Sequence, residues 1–242
     1  MAISTQNDAD DHGRPWTNGF HVSHPWYGDI NLPAAGSKTQ PLFPIPPRRA
    51  QANSKAVDLD GVYNVALNES WQPIGELADV DRSLAALPAG LHDFEGVSFD
   101  VRGIIQLSGS AQDSRLYPEW VGIPVGQVFQ RFHVLHGATG SERQGQEIGA
   151  FVLHYANGNV AEVPILFGEH LRGEDVRVDP ETNCSNGRLV RSPGGSTEQG
   201  INHPRVYQAA FANPMPTVEV ERVEFTSKLT KCGPFLLALT LE

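Results

Sequence analysis

The chain has 242 residues, of which 40% are hydrophobic, 24 are glycine and 18 are proline. This length allows one large domain, or one domain with a substantial extension, and the composition favours many short strands and turns over long helices. The formal net charge of −10 argues against nucleic acid or an anionic membrane surface as a partner and is compatible with neutral or cationic ligands.

The sequence shows no sign of a membrane span or a secretory signal. No stretch approaches the roughly 18 apolar residues that a spanning helix needs. The first residues, MAISTQNDADDHGRPW, have neither a basic region nor an apolar region. We therefore expect no membrane partner and no signal peptide in this sequence.

Residues 1–55 differ from the rest of the chain, because they are rich in proline and show no period of 2 or 3.6. Their end, PLFPIPPRRAQANSK, is typical of an extended, polyproline-like linker. A disordered tail is normally poor in aromatic residues, so we expect this N-terminal arm to be ordered against the domain or a neighbouring subunit. The aromatic residues of the arm are Trp16, Phe20, Trp26, Tyr27 and Phe43.

From about residue 57 onward the pattern is typical of short strands, rich in β-branched and aromatic residues and bounded by Gly, Pro, Asn or Ser. LADVDRSLAALPAG could hold one helical turn, which Pro88 and Gly90 would end. Strands at this spacing without long helices between them indicate an antiparallel sandwich or barrel. In chain order the segments are VDLDGVYNVAL, GVSFDVRGIIQLSG, VGQVFQRFHVLHG, IGAFVLHYANG, NVAEVPILFG, RVYQAAFA, TVEVERVEFTSK and PFLLALTLE.

Residues 151–168, FVLHYANGNVAEVPILFG, form one of the clearest local patterns. Two alternating runs flank Asn157-Gly158, which predicts a β-hairpin with a type I′ turn, since that turn needs positive φ at both central residues. Pro164 cannot donate a hydrogen bond to a neighbouring strand. The return strand is therefore expected at a sheet edge or with an early end.

Three further segments carry specific expectations. The apolar residues of TVEVERVEF change parity, which predicts a β-bulge near Glu221-Arg222. PFLLALTLE is almost wholly apolar and predicts a central strand buried on both faces. Asp100 and Arg102 share one face of FDVRG, and we interpret them as a structural ion pair.

The order of three phrases carries a family resemblance. These phrases are LPAGLHDFEGVSFDVRGIIQL, IGAFVLHYANGNVAEVPILFGEHLRG, and FANPMPTVEVERVEFTSK followed by PFLLALTLE. Together they resemble galactose-binding-like jelly-roll modules, which are found beside glycoside hydrolases and in bacterial surface or secreted proteins. The resemblance implies an all-β, antiparallel jelly-roll sandwich over residues 56–242 and suggests a secreted or cell-surface location. It does not cover the non-globular arm, residues 1–55.

Two departures from those modules concern aromatic residues. LRGEDVRVDPETNCSNGR and HGATGSERQG lack the tryptophans that such modules often carry there. If those tryptophans form a sugar platform in the relatives, this chain has lost the platform or replaced it. The aromatic-rich arm is a candidate replacement.

Sugar binding requires a flat aromatic face for the C–H surface of the ring and planar polar groups for its hydroxyls. The loops SRLYPEWVG, NESWQPIG and GEHLRGED supply both, and loops at the end of a sandwich carry function because the scaffold holds them. The alternative role of Trp71 and Trp120 is to plug the ends of the sandwich. The candidate ligand-binding residues are Trp120, Tyr117, Arg115, Trp71, Glu169, His170 and Arg172.

Metal and nucleophile patterns are weak. His133 and His136 have an odd separation, so one strand points them to opposite faces. His21 and His24 in the arm are weak metal candidates without a defined third ligand. We expect no cofactor, and a structural calcium ion is left open. No G-x-S-x-G motif is present, and we assign no catalytic residue.

Cys184 and Cys232 are the only cysteines of the chain. They could form one disulfide in an oxidising compartment, but two free thiols are the expected state in a chain of this size. Neither cysteine has a histidine close in sequence that would activate it as a nucleophile.

The favoured function is non-catalytic recognition of carbohydrate or glycan. The alternative is a structural or assembly protein whose N-terminal arm docks on a neighbouring subunit of a homo-oligomer. The third hypothesis is a hydrolase or a metal-dependent enzyme that acts on polysaccharide.

Overall fold

A computed structural model describes residues 40–69, 83–110, 117–174, 179–190 and 204–242, together with three short strands nearer the N-terminus. The described residues contain no α-helix, and so no helix among them could span a membrane. The strands are β1 (Ala2–Ile3), β2 (Phe20–His24), β3 (Gly28–Leu32), β4 (Val65–Ala66), β5 (Gly90–Phe94), β6 (Val97–Val101), β7 (Gly103–Gln106), β8 (Trp120–Gln127), β9 (Arg131–Thr139), β10 (Glu147–Tyr155), β11 (Val160–Leu166), β12 (Gly187–Val190), β13 (Val206–Ala212), β14 (Val220–Ser227) and β15 (Gly233–Leu241).

These strands form two larger sheets and two small ones. The first larger sheet has the order β11-β10-β14-β8, and the second has the order β12-β13-β9-β15-β7-β4. β5 and β6 form a separate hairpin, and β1, β2 and β3 form a three-stranded sheet. All the strand pairs are antiparallel, which confirms the predicted all-β, antiparallel class.

The two larger sheets face each other across an aromatic core. The ring of Phe132 in β9 lies 5.3 Å from that of Phe151 in β10. Phe151 in turn lies 5.4 Å from Phe211 in β13 and 5.4 Å from Phe225 in β14. Because alternate residues of a strand share a face, each strand contributes one apolar row to this core. The architecture is therefore sandwich-like, with sheets that are not closed.

The opposite face of the six-stranded sheet is covered as well. Leu84, Leu87 and Phe99, from the segment before β5 and from β6, pack in a second apolar cluster with Phe235 and Leu237 of β15. Every residue of β15 is buried as a result. This confirms the prediction of a central strand buried on both faces, for which an almost wholly apolar sequence is required.

The hairpin of β10 and β11 is confirmed, but its turn type is not the one expected. Gly158 has φ +82°, whereas Asn157 lies outside the positive-φ region. Gly158 N donates to the Tyr155 carbonyl at 2.8 Å, and Tyr155 N donates to the Asn159 carbonyl at 3.0 Å. The loop therefore has three residues and ends in a left-handed glycine, as in a G1 bulge. The type I′ prediction was wrong.

A two-residue hairpin turn with positive φ at both central residues is found instead between β5 and β6. Glu95 has φ +54° and Gly96 has φ +77°, between β5 and β6. The Asp93 carboxylate accepts a hydrogen bond from Gly96 N at 3.1 Å, which supports the turn.

Replacing Gly158 by valine should lower the free energy of unfolding by about 1 kcal/mol or more, because a β-branched residue resists positive φ. An added Cβ would meet no atom within 4 Å, so backbone strain alone is tested. Urea unfolding measures the effect. Ala156→Val in the same turn is the control, since Ala156 is exposed and has no positive φ. Equal stability of the two variants would contradict the turn geometry.

Two details of the four-stranded sheet are as expected. Pro164 lies in β11, which is an edge strand. The register of β14 against β8 shifts between Val220 and Arg222, which places the bulge at Glu221. Proline at an edge and a bulge at a change of parity are both local consequences of backbone hydrogen bonding.

The segment VDLDGVYNVAL is not a continuous strand, contrary to the prediction. Only Val65–Ala66 form β4. Before it, the Asp58 carboxylate accepts a hydrogen bond from Asp60 N at 3.1 Å, and Tyr63 N donates to the Leu59 carbonyl at 3.1 Å. The Asp and Gly residues thus produce turns where the apolar pattern suggested a strand. Residues 83–89, the described part of the expected helical turn, form turns without a helix.

The N-terminal arm contains β1, β2 and β3, which the sequence pattern did not predict. Pairing between neighbouring strands satisfies backbone groups without an apolar period, and so a periodicity test cannot detect it. The end of the arm lies against the domain. The Pro46 carbonyl accepts a hydrogen bond from Arg102, Leu42 N donates to Glu69, and Ile45 packs against the core. Trp16, Trp26 and Tyr27 lie outside the described residues.

Candidate functional site

The structure separates the candidate residues into different environments. Arg115 and Trp71 lie outside the described residues. Tyr117 is 8% exposed and packs in the second apolar cluster, so it does not present a ring face to a ligand. Trp120 at the start of β8 is 57% exposed and therefore does not plug the sandwich.

Arg172, in the connection between β11 and β12, donates hydrogen bonds to other groups of the protein. Its guanidinium donates to the Asn183 carbonyl at 2.7 Å, to Gln144 Oε1 at 2.9 Å and to Asp179 Oδ1 at 3.3 Å. All three nitrogens are thus used inside the fold. The residue stabilises this connection, and a ligand would have to compete for its donors.

His170 is also part of the connection's own packing. Its Nδ1 accepts a hydrogen bond from Leu166 N at 3.0 Å, and its ring lies 4.7 Å from that of Phe211. Burial lowers the pKa of His170, so the ring is neutral at neutral pH. Its neighbour Glu169 is half-buried, and the Glu169 carbonyl accepts a hydrogen bond from Asn186 N at 2.8 Å.

Arg205 completes this network of hydrogen bonds, and the sequence analysis did not identify it. It is 9% exposed and donates to the carbonyl groups of Gly173 at 2.7 Å, Glu181 at 2.7 Å and Asp179 at 2.8 Å. No local pattern identifies such a residue, because its partners are all 24 or more positions away in the chain. Glu169, His170 and Arg172 therefore belong to an internally bonded connection.

Trp120 belongs to an open sheet surface. β8 is an edge strand of the four-stranded sheet, and the alternation of its residues places Trp120, Gly122 and Pro124 on the side away from the core. A Cβ added at Gly122 would lie 3.9 Å from Trp120 Cζ3, so the indole extends beside a position without a side chain. Pro124, two residues further, is exposed.

Polar side chains of β14 stand beside this apolar row. In the register of the two strands, Thr226 pairs with Trp120, Glu224 with Gly122 and Arg222 with Pro124. We call the side of the four-stranded sheet away from the core, which carries these residues, the outer face.

Ion pairs hold the polar groups of the outer face in place. Arg222 Nη2 donates to Glu224 Oε1 at 2.8 Å and to the His154 ring at 3.1 Å. His154 Nε2 lies 3.1 Å from Glu224 Oε1. Lys228 Nζ contacts Glu162 at 2.5 Å, which lowers the pKa of Glu162 and raises that of Lys228. The donors and acceptors of this surface are therefore oriented before any ligand arrives.

A groove of about 600 Å³ adjoins the far end of β8. Carboxylates, a guanidinium, an amide and apolar side chains all contribute to it. Pro124 belongs both to the outer face and to this groove. The groove is lined by Arg48, Ser54, Ala56, Val57, Asp58, Asp60, Gly61, Val62, Pro124, Val125 and Gln127.

Beneath the groove, Arg102 holds three carboxylates together. Its guanidinium is 2% exposed, lies 3.2 Å from Asp100 and 3.1 Å from Asp60, and also contacts Asp58. This confirms the structural ion pair predicted for Asp100 and Arg102. The ring of Tyr63 lies 5.7 Å from the guanidinium, and burial raises the pKa of Tyr63.

Among the described residues, no group of three or more His, Cys, Asp or Glu side chains could hold a metal ion. His21 and His24 lie in β2, whose side chains are outside the description. His133 contacts Glu242 at 2.7 Å, whereas His136 is buried and bonds to the His170 carbonyl at 3.2 Å. The two histidines of β9 thus have separate partners.

The cysteines are both free thiols. Burial raises the pKa of Cys184 to about 11 and raises that of Cys232 as well. Neither residue is therefore a thiolate at neutral pH, which is the form that acts as a nucleophile.

No protein-family model matches the chain. No curated protein matches it at a significant level either. The function must therefore be inferred from the chain's own residues.

Proposed function

We propose that this protein recognises carbohydrate without catalysing a reaction, and that the outer face of the four-stranded sheet is its binding surface. The observation that carries the proposal is Trp120, which is 57% exposed on the outer face of an edge strand. An exposed large aromatic side chain costs free energy in water, and stacking against the C–H face of a sugar ring would recover it.

The polar groups beside Trp120 suit the hydroxyls of a sugar. Glu224 accepts hydrogen bonds and Arg222 donates them, and both stand one strand away from the indole. Their mutual contact at 2.8 Å fixes both side chains before binding. A preorganised surface loses less side-chain entropy when a ligand binds.

We further infer that the sandwich is a jelly roll of the galactose-binding-like kind and that the protein acts at a cell surface or after secretion. Support comes from strands that are distant in sequence and adjacent in space: β14 lies between β10 and β8, and β15 lies between β9 and β7. Such crossings between two antiparallel sheets are typical of jelly rolls. An experimental structure with a superposition on such modules tests this inference.

Assembly through the N-terminal arm is the alternative function. The described end of the arm, residues 40–55, contacts its own domain, where Arg48 donates to the Ala56 carbonyl at 2.6 Å. These contacts are made within one chain and do not require a neighbouring subunit. Carbohydrate recognition is the better supported proposal for this reason.

Replacing Trp120 by alanine should weaken carbohydrate binding at least about tenfold, because stacking on this one ring dominates the affinity. We expect dissociation constants of about 10 μM to 1 mM for the unmodified protein, since a shallow site buries little area. Isothermal titration against a panel of neutral mono- and oligosaccharides measures both values.

The matched control is Phe43→Ala, which removes a 42% exposed aromatic side chain outside the outer face and should leave affinity unchanged. Binding should hardly respond to salt, because a neutral glycan carries no charge to be screened. The absence of binding to every glycan by folded protein would contradict the proposal. Full affinity in Trp120→Ala would place the site elsewhere on the protein.

A further inference from the structure

We propose that the binding surface continues from Trp120 along β8 into the groove, so that the ligand is a neutral, linear oligosaccharide of several sugar units. This inference rests on the proposed function and concerns the size and charge of the ligand. It makes β8 the axis of one elongated site with two ends.

The continuity of the site follows from the course of β8. Trp120 and Pro124 share the outer face, and Pro124, Val125 and Gln127 line the groove. A strand rises about 3.3 Å per residue, so the path from Trp120 to Gln127 is roughly 23 Å long. Such a path is longer than one sugar ring, and a monosaccharide could contact only one end of it.

Two rows of residues run side by side along this path, one apolar and one polar. Trp120, Gly122 and Pro124 form the apolar row, and Glu224 and Arg222 of β14 stand beside it in register. A pyranose chain has an apolar C–H face and polar hydroxyl edges. It would place its C–H face on the first row and its hydroxyls against the second.

The groove end offers exposed carboxylate oxygens as hydrogen-bond acceptors. Arg102 contacts Oδ1 of Asp58 and Oδ1 of Asp60, and the two side chains remain 53% and 61% exposed. Within the described residues, the Oδ2 atoms of both carboxylates make no hydrogen bond. Ionised carboxylate oxygens accept hydroxyl protons strongly. A volume of about 600 Å³ is within the usual range of small-molecule sites.

The charges along the path favour a neutral ligand over a polyanion or a polycation. In the groove cluster, the carboxylates of Asp58, Asp60 and Asp100 face the guanidinium groups of Arg48 and Arg102. On the outer face, Glu147, Glu162 and Glu224 face Lys228 and Arg222. Acidic and basic groups are paired in both places, so neither end presents a strong field of one sign.

The test is the dependence of affinity on chain length. The probes are cello-, xylo-, manno- and galacto-oligosaccharides from the monosaccharide to the hexasaccharide, titrated calorimetrically into the full chain. In the series that binds, the affinity should rise at least about tenfold from the monosaccharide to the hexasaccharide, because added sugar units reach additional contacts.

A variant that fills the groove separates the two ends of the site. An added Cβ at Gly61 would meet no atom within 4 Å, and Gly61 has no positive φ, so Gly61→Leu should fold and narrow the groove. It should lower hexasaccharide affinity by about tenfold and leave monosaccharide affinity unchanged. Ala156→Leu is the matched control, since it adds similar bulk at an exposed position without positive φ in the turn between β10 and β11, and it should bind both probes as the unmodified chain does.

A second variant removes a contact instead of adding bulk. Gln127 donates to the Ser54 carbonyl at 3.2 Å in an exposed position. Gln127→Ala should therefore fold and weaken only the longer probes, by about threefold for the loss of one hydrogen bond.

Three outcomes would overturn the inference. Affinity that is equal for short and long chains, yet lost in Trp120→Ala, would overturn it and leave the proposed function standing. Full hexasaccharide affinity in both Gly61→Leu and Gln127→Ala would exclude the groove from the site. The absence of binding to every probe would overturn the inference together with the proposed function.

Discussion

Replacing Arg102 by methionine is expected to lower the free energy of unfolding by about 3 kcal/mol or more, because it leaves a buried carboxylate without its counter-charge. The Asp100 side chain is 1% exposed and lies 3.2 Å from Arg102. The next cation, Arg48, is 4.0 Å away. Asp58 and Asp60 are more than half exposed, so water can solvate them after the change and most of the cost falls on Asp100.

Urea unfolding followed by tryptophan fluorescence measures this loss. Arg131→Met is the matched control, since Arg131 is 56% exposed and pairs with an exposed Glu242 at 3.5 Å. We expect the control to lose less than about 1 kcal/mol. The double variant Arg102→Met with Asp100→Asn should recover part of the stability, because it removes the unpaired charge. A loss in Arg102→Met no larger than the control would contradict the buried ion pair.

Acidification is expected to destabilise the protein through His136. The residue is fully buried and its Nε2 bonds to the His170 carbonyl, while its Nδ1 is buried and has no hydrogen-bond partner among the described residues. Burial, followed by the nearby His170, lowers the pKa of His136 from 6.5 to about 3. The protonated ring is therefore disfavoured in the folded state, and between these two values the unfolded chain binds more protons.

The contribution of His136 is fully present above pH 6.5 and is lost as the pH falls towards 3. Between its folded-state and unfolded-state pKa values, such a group lowers the free energy of unfolding by about 1.4 kcal/mol for each pH unit of acidification. The stability lost between about pH 7.5 and about pH 5 is therefore about 2 kcal/mol. The lowered pKa of His170 acts in the same direction. The carboxylates Glu162, Glu181 and Glu242 have pKa values below their ordinary 4.5 and contribute mainly at lower pH.

The matched variant is His136→Gln, which keeps an N–H donor and cannot be protonated in this range. Urea unfolding at both pH values gives the stability loss of each protein. The unmodified chain should lose about 2 kcal/mol more than the variant. The same loss in both proteins would show that His136 does not cause the acid sensitivity.

Features set by the local chain were predicted well. Alternation in β10 and β11, proline at an edge and the parity change at Glu221 all depend on neighbouring residues and on backbone hydrogen bonds. The apolar β15 is a similar case, since only a strand covered on both sides can bury every position.

Turn types show where local patterns stop being sufficient. Asn157-Gly158 is the pair that favours a type I′ turn, yet both positive φ values occur at Glu95-Gly96. The hydrogen bond from Tyr155 N to the Asn159 carbonyl leaves a three-residue loop, whereas pairing of Phe94 with Val97 leaves room for only two residues. The register of the strands therefore decided each turn, and that register depends on which faces reach the core.

The candidate site also has features that the sequence predicted and features that only the tertiary structure determined. By itself, the sequence determined the all-β class, the hairpin around residue 157 and a short set of aromatic and charged candidates. Only the tertiary structure decided which of them a ligand could reach: Tyr117 is buried, Arg172 is bonded on all three nitrogens, and Trp120 stands exposed beside Gly122. The physical reason is that exposure and hydrogen-bond saturation depend on partners far away in the chain, which strand pairing and sheet packing bring together.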